Sequence, residues 1–273
     1  MLTCEVLVSS MNRTKKELKK LIEDMKIKSD AIIINQIPEK KISFTNEICD
    51  NKHIISVKEK GLSKSRNLAI MNAKNDICII ADDDLVYEDN YQELILDQYK
   101  LHPDADIIAF VVDNEDENRK KRILKEGRVG YIKSMKLQSV QITFKRKSIL
   151  DFNINFDENF GIGAKYYWGE ENIFLFDCLR KKLKIYYVPI KIGTLKLEES
   201  MWNKDNTPNH YMIQGAIYYR MSKFLYPLLI LQFGLRKKKI YSMDMTTFEV
   251  IKYMIQGAIE YKRKNENEKR KIS

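Results

Sequence analysis

Three consecutive carboxylates, Asp82, Asp83 and Asp84, follow directly on the apolar run Ile77 to Ala81. Like charges crowded at one place are costly unless a cation neutralises them, and hard carboxylate oxygens suit Mg²⁺ or Mn²⁺. An unbroken apolar run of that length is the signature of a strand buried on both faces. Ligand sites of open α/β sheets lie at the carboxyl ends of such strands. A solvated acidic turn is the alternative, and the buried strand before it argues for a site instead.

Two further stretches bear chemistry. Trp168, Gly169, Glu170 and Glu171 bring an aromatic, glycine-containing loop to the start of an amphipathic helix. A carboxylate there can serve as a general base for a hydroxyl, or both acids can simply complement the helix dipole in its first turn. Gly61 to Asn67 reads Gly-Leu-Ser-Lys-Ser-Arg-Asn, a loop and helix start with two cations, Lys64 and Arg66. That arrangement suits a phosphorylated ligand, and equally an ordinary capped helix with solvated cations. Its place one helix before the aspartates favours the ligand.

Other chemistries find no support. The chain has no GxxxxGK[ST], no GxGxxG after the first strand and no HExxH. His53, His102 and His210 are isolated and are expected to be structural. Trp168 and Trp202 could stack on sugar rings or fill a core.

The elements that must hold these residues are legible from periodicity. Leu2 to Ser10 reads as a strand, and Thr14 with Glu17 forms a capping box opening a helix whose apolar face is Leu18, Leu21, Ile22 and Met25. Ala31 to Gln36, His53 to Val57 and Ile77 to Ala81 are strands, with a helix capped by Ser63 running from there to Ala73. A helix over Asp89 to Leu101, a strand over Ile107 to Val112 and a charged hairpin or loop over Asp113 to Arg128 follow. The second half holds a strand near Ser139 to Phe144, a loop over Asp157 to Trp168, a helix over Glu170 to Lys181 and a strand over Ile185 to Val188 ended by Pro189. Long helices are expected over Asn209 to Phe233, kinked at Pro227, and over Thr247 to Lys262; no internal repeat is expected. The whole is an α/β fold, a mostly parallel sheet flanked by helices, with a catalytic domain over 1–200 and a C-terminal helical appendage with a basic tail over 201–273.

At 273 residues with 44% hydrophobic content, the chain buries a large core. Its formal charge of +10 calls for an anionic partner, and the excess gathers at Arg236 to Lys239 and Lys262 to Lys271, which fits surface docking better than a nucleic-acid cleft. Cys4, Cys49, Cys78 and Cys178 lie far apart, so a disulfide framework is not indicated and a reducing cytoplasm is expected. No apolar run reaches the length of a membrane span. The longest, Phe224 to Leu235, is followed by four basic residues and either lies on an anionic membrane surface or packs on the catalytic domain.

Taken in order, Gly-Leu-Ser-Lys-Ser-Arg-Asn at 61–67, Ala-Asp-Asp-Asp at 81–84 and Gly-Glu-Glu-Asn at 169–172 resemble the inverting family 2 glycosyltransferases of GT-A (Rossmann-like) fold, including bacterial enzymes of surface polysaccharide assembly. The likeness covers roughly the first 200 residues. It implies transfer of a sugar from a nucleotide-sugar donor, a UDP-sugar first of all, to a saccharide or lipid-linked acceptor. It also implies Mn²⁺ or Mg²⁺ at Asp84 with Asp82, and a donor pocket of Ser9, Ser10, Asn35, Gln36, Gly61, Arg66, Asp82 and Asp83, with Arg66 near the donor base. Glu171 would be the catalytic base, Glu170 would hold the acceptor beside it together with Trp168, and the loop with Gly161 and Gly163 would close over the donor.

The chain departs from that family where Asn35 and Gln36 replace a base-reading aspartate, where Glu-Glu replaces Glu-Asp, and where Ile190 to Glu199 holds no histidine. The rival functions are a metal-dependent nucleotidyltransferase or other phosphoryl-transfer enzyme, which the carboxylates at 82–84 and 170–171 could serve, and a basic nucleic-acid-binding protein. The latter leaves the aspartates at a buried strand end without a role, so no nucleic acid is expected as a partner.

Overall fold

Runs that are apolar at every position can be satisfied only if both faces of the sheet are covered, and the computed structural model shows this arrangement. It describes residues 2–38, 45–115, 124–196 and 206–272, with side chains up to residue 267. The chain divides into two units, one of Met1–Glu158 with Glu170–Glu199, the other of Asn159–Gly169 with Ser200–Ser273. The segment 159–169 thus groups with the C-terminal helices.

The first unit runs β1 (Cys4–Met11), α1 (Lys15–Asp24), β2 (Asp30–Gln36), β3 (Thr45–Cys49), β4 (Lys52–Val57), α2 (Leu62–Asn72), β5 (Ile77–Asp82) and β6 (Leu85–Tyr87). It continues with α3 (Tyr91–Leu101), β7 (Ile107–Asn114), β8 (Gly127–Val129), α4 (Tyr131–Ser134), β9 (Ile142–Lys145), α5 (Arg146–Asp151), α6 (Glu170–Arg180) and β10 (Ile185–Leu195). The strands form one sheet in the order β3-β4-β2-β1-β5-β9-β7-β10-β6, with β8 on β10. From β4 to β5 every pairing is parallel, and antiparallel members enter at β3, β9, β6 and β8. Alternation divides the core: Val6, Val8, Ile33 and Ile79 belong to one buried cluster, while Leu7, Ile32, Ile34 and Ile80 belong to another.

The local chemistry of caps and turns sets the boundaries. Thr14 and Glu17 form the expected capping box at α1, the Thr14 amide donating to Glu17 Oε2 at 2.6 Å. At α2 the expected cap is corrected: Gly61, at φ 136, is the N-cap and Ser63 is buried inside the first turn. Such a φ is open to glycine and strained for residues with a Cβ.

Pro189 does not end its strand, because β10 runs on to Leu195. β8 pairs with Ile185–Tyr187 and β6 with Gly193–Leu195 on the same side, and the register to β7 shifts after Tyr187. Pro189 falls in that gap, where its missing N–H breaks no ladder bond.

The second unit holds α7 (Pro208–Met221), α8 (Tyr226–Arg236), α9 (Lys238–Tyr241) and α10 (Thr247–Ile272). The single kinked helix expected over 209–233 is two helices, broken at Ser222–Leu225, upstream of Pro227. Proline occupies the first turn of α8, where its absent N–H would have no partner in any case. The expectation of no repeat is also corrected, since Tyr211–Ile217 and Tyr253–Ile259 both read Tyr-Met-Ile-Gln-Gly-Ala-Ile. The two copies pack on each other reciprocally. A Cβ added at Gly215 would lie 1.8 Å from the Met254 carbonyl oxygen, and one added at Gly257 would lie 1.8 Å from that of Met212. The repeated glycines therefore let the backbones of α7 and α10 touch, in the reversed contact order of an antiparallel pair.

Candidate active site

Register alone assembles the first part of the site. Pairing of β1 with β5 sets Ser9 beside Asp82, and pairing with β2 sets Ser10 beside Asn35 and Met11 beside Gln36. Ser9, Ser10, Asn35 and Gln36 are buried. Their polar ends are bonded within the chain: Ser65 Oγ donates to Ser9 Oγ at 2.8 Å and Gln36 Nε2 to the Gly61 carbonyl at 3.0 Å. The Asn35 side chain accepts from the Arg13 amide at 3.1 Å and donates to its carbonyl at 2.8 Å. These residues are thus brought together as a network that shapes the strand ends rather than as an open polar lining.

The three aspartates diverge. Asp82, the last residue of β5, accepts from Arg66 Nη2 at 2.8 Å. Asp83 Oδ2 accepts from Ser10 Oγ at 2.9 Å and from Arg13 Nη2 at 2.9 Å. Asp84 closes the turn into β6, its carbonyl accepting from the Lys196 amide at 2.9 Å. Asp83 and Asp84 edge a cleft of about 240 Å³ whose walls also carry Arg13, Lys20 and Lys196. Arg13 is the functional candidate that sequence reasoning passed over. The signal was a lone cation between the end of β1 and the cap of α1.

The motif at 61–67 acts as a clamp. Arg66 is 2% exposed, and its guanidinium donates to Asp82 and, through Nη1 at 2.8 Å, to Glu170 Oε1. Its ring partner is Phe156, 5.4 Å away and stacked on Phe174. Burial disfavours the guanidinium charge, and Asp82 and Glu170 outweigh it. The cation placed by sequence near the donor base is therefore engaged with two carboxylates, while Lys64 stays exposed near Glu59. Asn67 adds a second tie, donating to the Phe156 carbonyl at 2.9 Å and accepting from its amide at 2.8 Å.

Glu170 and Glu171 open α6, with Glu170 buried and Glu171 partly exposed. The Glu171 carboxyl is pushed up to about 8, first by desolvation and then by the charge of Glu170, with Arg66 pulling the other way. Asn172 Nδ2 donates to Glu171 Oε1 at 2.8 Å. A carboxyl with that affinity for a proton, held in a hydrogen-bonded frame, is suited to take one from a hydroxyl once it is ionised, as pH rises through that value.

Within the second unit, Trp168 stacks on His210 at 5.1 Å. The loop expected to close over the donor is tied at its base there: Phe160 and Tyr166 stack on each other and pack on Tyr261, and Lys165 pairs with Glu260 at 2.6 Å. Trp202 and residues 197–199 lie outside the described residues, as do 116–123 of the expected charged loop. His53 bonds Asn46 at 2.5 Å and His102 stacks on Tyr186 at 5.0 Å, both away from the aspartates.

The chain matches the family described as "Glycosyl transferase family 2" over residues 12–165, more than half its length. Among the curated proteins none matches it. Among solved structures it is similar to S. aureus TarS 1-349 in complex with UDP, at TM-score 0.61 and 12% identity, over 94% of this chain and 81% of that one. S. aureus TarS 1-349 in complex with UDP-GlcNAc is similar to the same degree, at TM-score 0.61 and 12% identity, over 94% and 82%. At such identity the likeness speaks for the fold, the mixed α/β sheet of GT-A glycosyltransferases, and the family match rules in favour of glycosyl transfer over the phosphoryl-transfer and nucleic-acid readings. The chain belongs to glycosyl transferase family 2.

Proposed function

We propose that this glycosyltransferase moves a sugar from a nucleoside-diphosphate donor, a UDP-sugar first of all, to a hydroxyl of a saccharide or lipid-linked acceptor in surface glycan assembly, with inversion. The observation that carries the reading is the Arg66 bridge, which holds Asp82 at the strand end and Glu170 at the start of α6 on one guanidinium. That bridge would bring a donor diphosphate beside β5 and an acceptor hydroxyl beside Glu171 to neighbouring places in one unit. Similarity to a fold that holds UDP and UDP-GlcNAc in TarS supports the choice of base.

Glu171 takes the acceptor proton as the acceptor oxygen bonds to the anomeric carbon, and the bond from that carbon to the diphosphate oxygen breaks on the opposite face. Arg66 is the positioning residue: it fixes Glu170, which would hold the acceptor, and Asp82, which would face the donor.

Asp82 and Asp84 offer the hard oxygens that Mg²⁺ or Mn²⁺ prefers. No group of three or more His, Cys, Asp or Glu side chains converges on a metal position among the described residues. An ion held by Asp84 with Asp82 would therefore draw most of its shell from diphosphate oxygens and water, the usual habit of Mg²⁺. When bound, it would neutralise charge developing on the leaving diphosphate.

The test is release of nucleoside diphosphate from a panel of nucleotide sugars with saccharide acceptors, for the parent and for Glu171→Gln. Turnover with one UDP-sugar, lowered about 10²–10⁴-fold in Glu171→Gln, is expected. Equal turnover in both proteins removes Glu171 from its role, and binding of nucleoside triphosphates with no sugar donor overturns the reading.

A further inference from the structure

The helix α8 is apolar on two sides. Its inner side is occupied within the second unit: Ile230 and Gly234 are buried, and Gly234 sits against Ile251 and Thr247 of α10. Its outer side repeats the pattern at helical spacing, with Phe224 just before the helix and then Leu228, Leu231 and Leu235, exposed by 92%, 62%, 47% and 64%. A surface helix ordinarily turns charged residues outward. A contiguous apolar stripe facing solvent marks an interaction surface.

Charge selects the occupant. From Asn206 to Met243 the chain contains no Asp or Glu, while Lys223 stands at one end of the stripe and Arg236, Lys237, Lys238 and Lys239 at the other, all exposed. An apolar stripe bracketed by cations, on a helix lying along the surface, matches the boundary between acyl chains and anionic headgroups. A protein partner for so basic a rim would have to be acidic, and a second copy of this chain brings the same cations against themselves. No helix among the described residues is long and apolar enough to cross a membrane, so the contact is one of lying on the surface.

We propose that the outer face of α8, with its flanking cations, docks the protein on an anionic lipid surface. Such docking is a property separate from sugar transfer, and either can be present without the other.

Flotation of the full chain with phosphatidylcholine vesicles, with and without phosphatidylglycerol, tests it. Flotation is expected only with phosphatidylglycerol and is expected to weaken with salt. Leu228→Glu with Leu231→Glu should abolish it, and Lys238→Glu with Lys239→Glu should lower the partition coefficient about tenfold or more. All four side chains are exposed, so circular dichroism and the thermal midpoint should stay at parent values, as should nucleotide-sugar binding. Failure to float with phosphatidylglycerol overturns the proposal, as does equal flotation without it or undiminished flotation of the leucine variant. Light scattering that shows a dimer which Leu228→Glu with Leu231→Glu dissolves assigns the stripe to a second copy instead, and also overturns it.

Discussion

Arg66 donates to Glu170 Oε1 and to Asp82 Oδ1, each at 2.8 Å, joining a residue 104 positions away to one 16 positions away. Because all three are in one unit and Arg66 and Glu170 are covered, the bridge is a fixed part of the site.

Removing that guanidinium leaves Glu170 buried with an uncompensated charge. Arg66→Ala should destabilise the first unit by about 3–5 kcal/mol, the usual cost of breaking a buried pair. Arg66→Lys keeps the charge and loses the fork, so it should fold and still lose about 10²-fold in turnover through misplacement of Asp82 and Glu170. Denaturant melts alongside diphosphate release measure both, and a fully active Arg66→Lys would dissolve the positioning role.

Glu171 predicts a pH profile. A base must be deprotonated to act, so kcat/KM should rise with pH through about 8, the value to which desolvation and Glu170 push the carboxyl. Stability should move the other way. The folded state holds this proton more tightly than the unfolded chain, so the contribution is fully present below the unfolded value and is lost as pH rises through the folded one. Profiles of parent and Glu171→Gln from mildly acid to alkaline pH decide it, a flat parent profile counting against the assignment.

Metal dependence has its own signature. Chelation with EDTA should abolish diphosphate release, Mn²⁺ or Mg²⁺ should restore it, and Asp84→Asn should weaken the restoration while leaving the thermal midpoint of the free protein near the parent value. Full activity in EDTA would remove the ion from the mechanism.

The repeated helices carry a packing prediction. Gly215→Ala and Gly257→Ala each force a methyl into a facing carbonyl, so α7 and α10 must separate, at a cost of roughly 1–3 kcal/mol or more. Gly130→Ala, where nothing lies within 4 Å, is the control and should be near neutral. Thermal melts of the three proteins make the comparison, and equal midpoints would show the helix contact to be loose.

By itself the sequence determined what depends on neighbours along the chain. Apolar runs announced β1, β2, β4 and β5, the Thr14 and Glu17 pair announced the start of α1, and the aspartates announced a strand end, because hydrophobic period and capping chemistry act within a few residues. The repeat in α7 and α10 was equally present in the letters, and its meaning lay in a contact between distant helices. Only tertiary structure decided which groups answer each other. Short β3 and β6 exist through their partners β4 and β10, Pro189 is tolerated because β8 stops before it and β6 starts after it, and Arg66 faces carboxylates because β5 and α6 converge on α2. Each depends on burial and pairing between residues far apart, where the loss of water makes a partner obligatory and local pattern does not say which partner it will be.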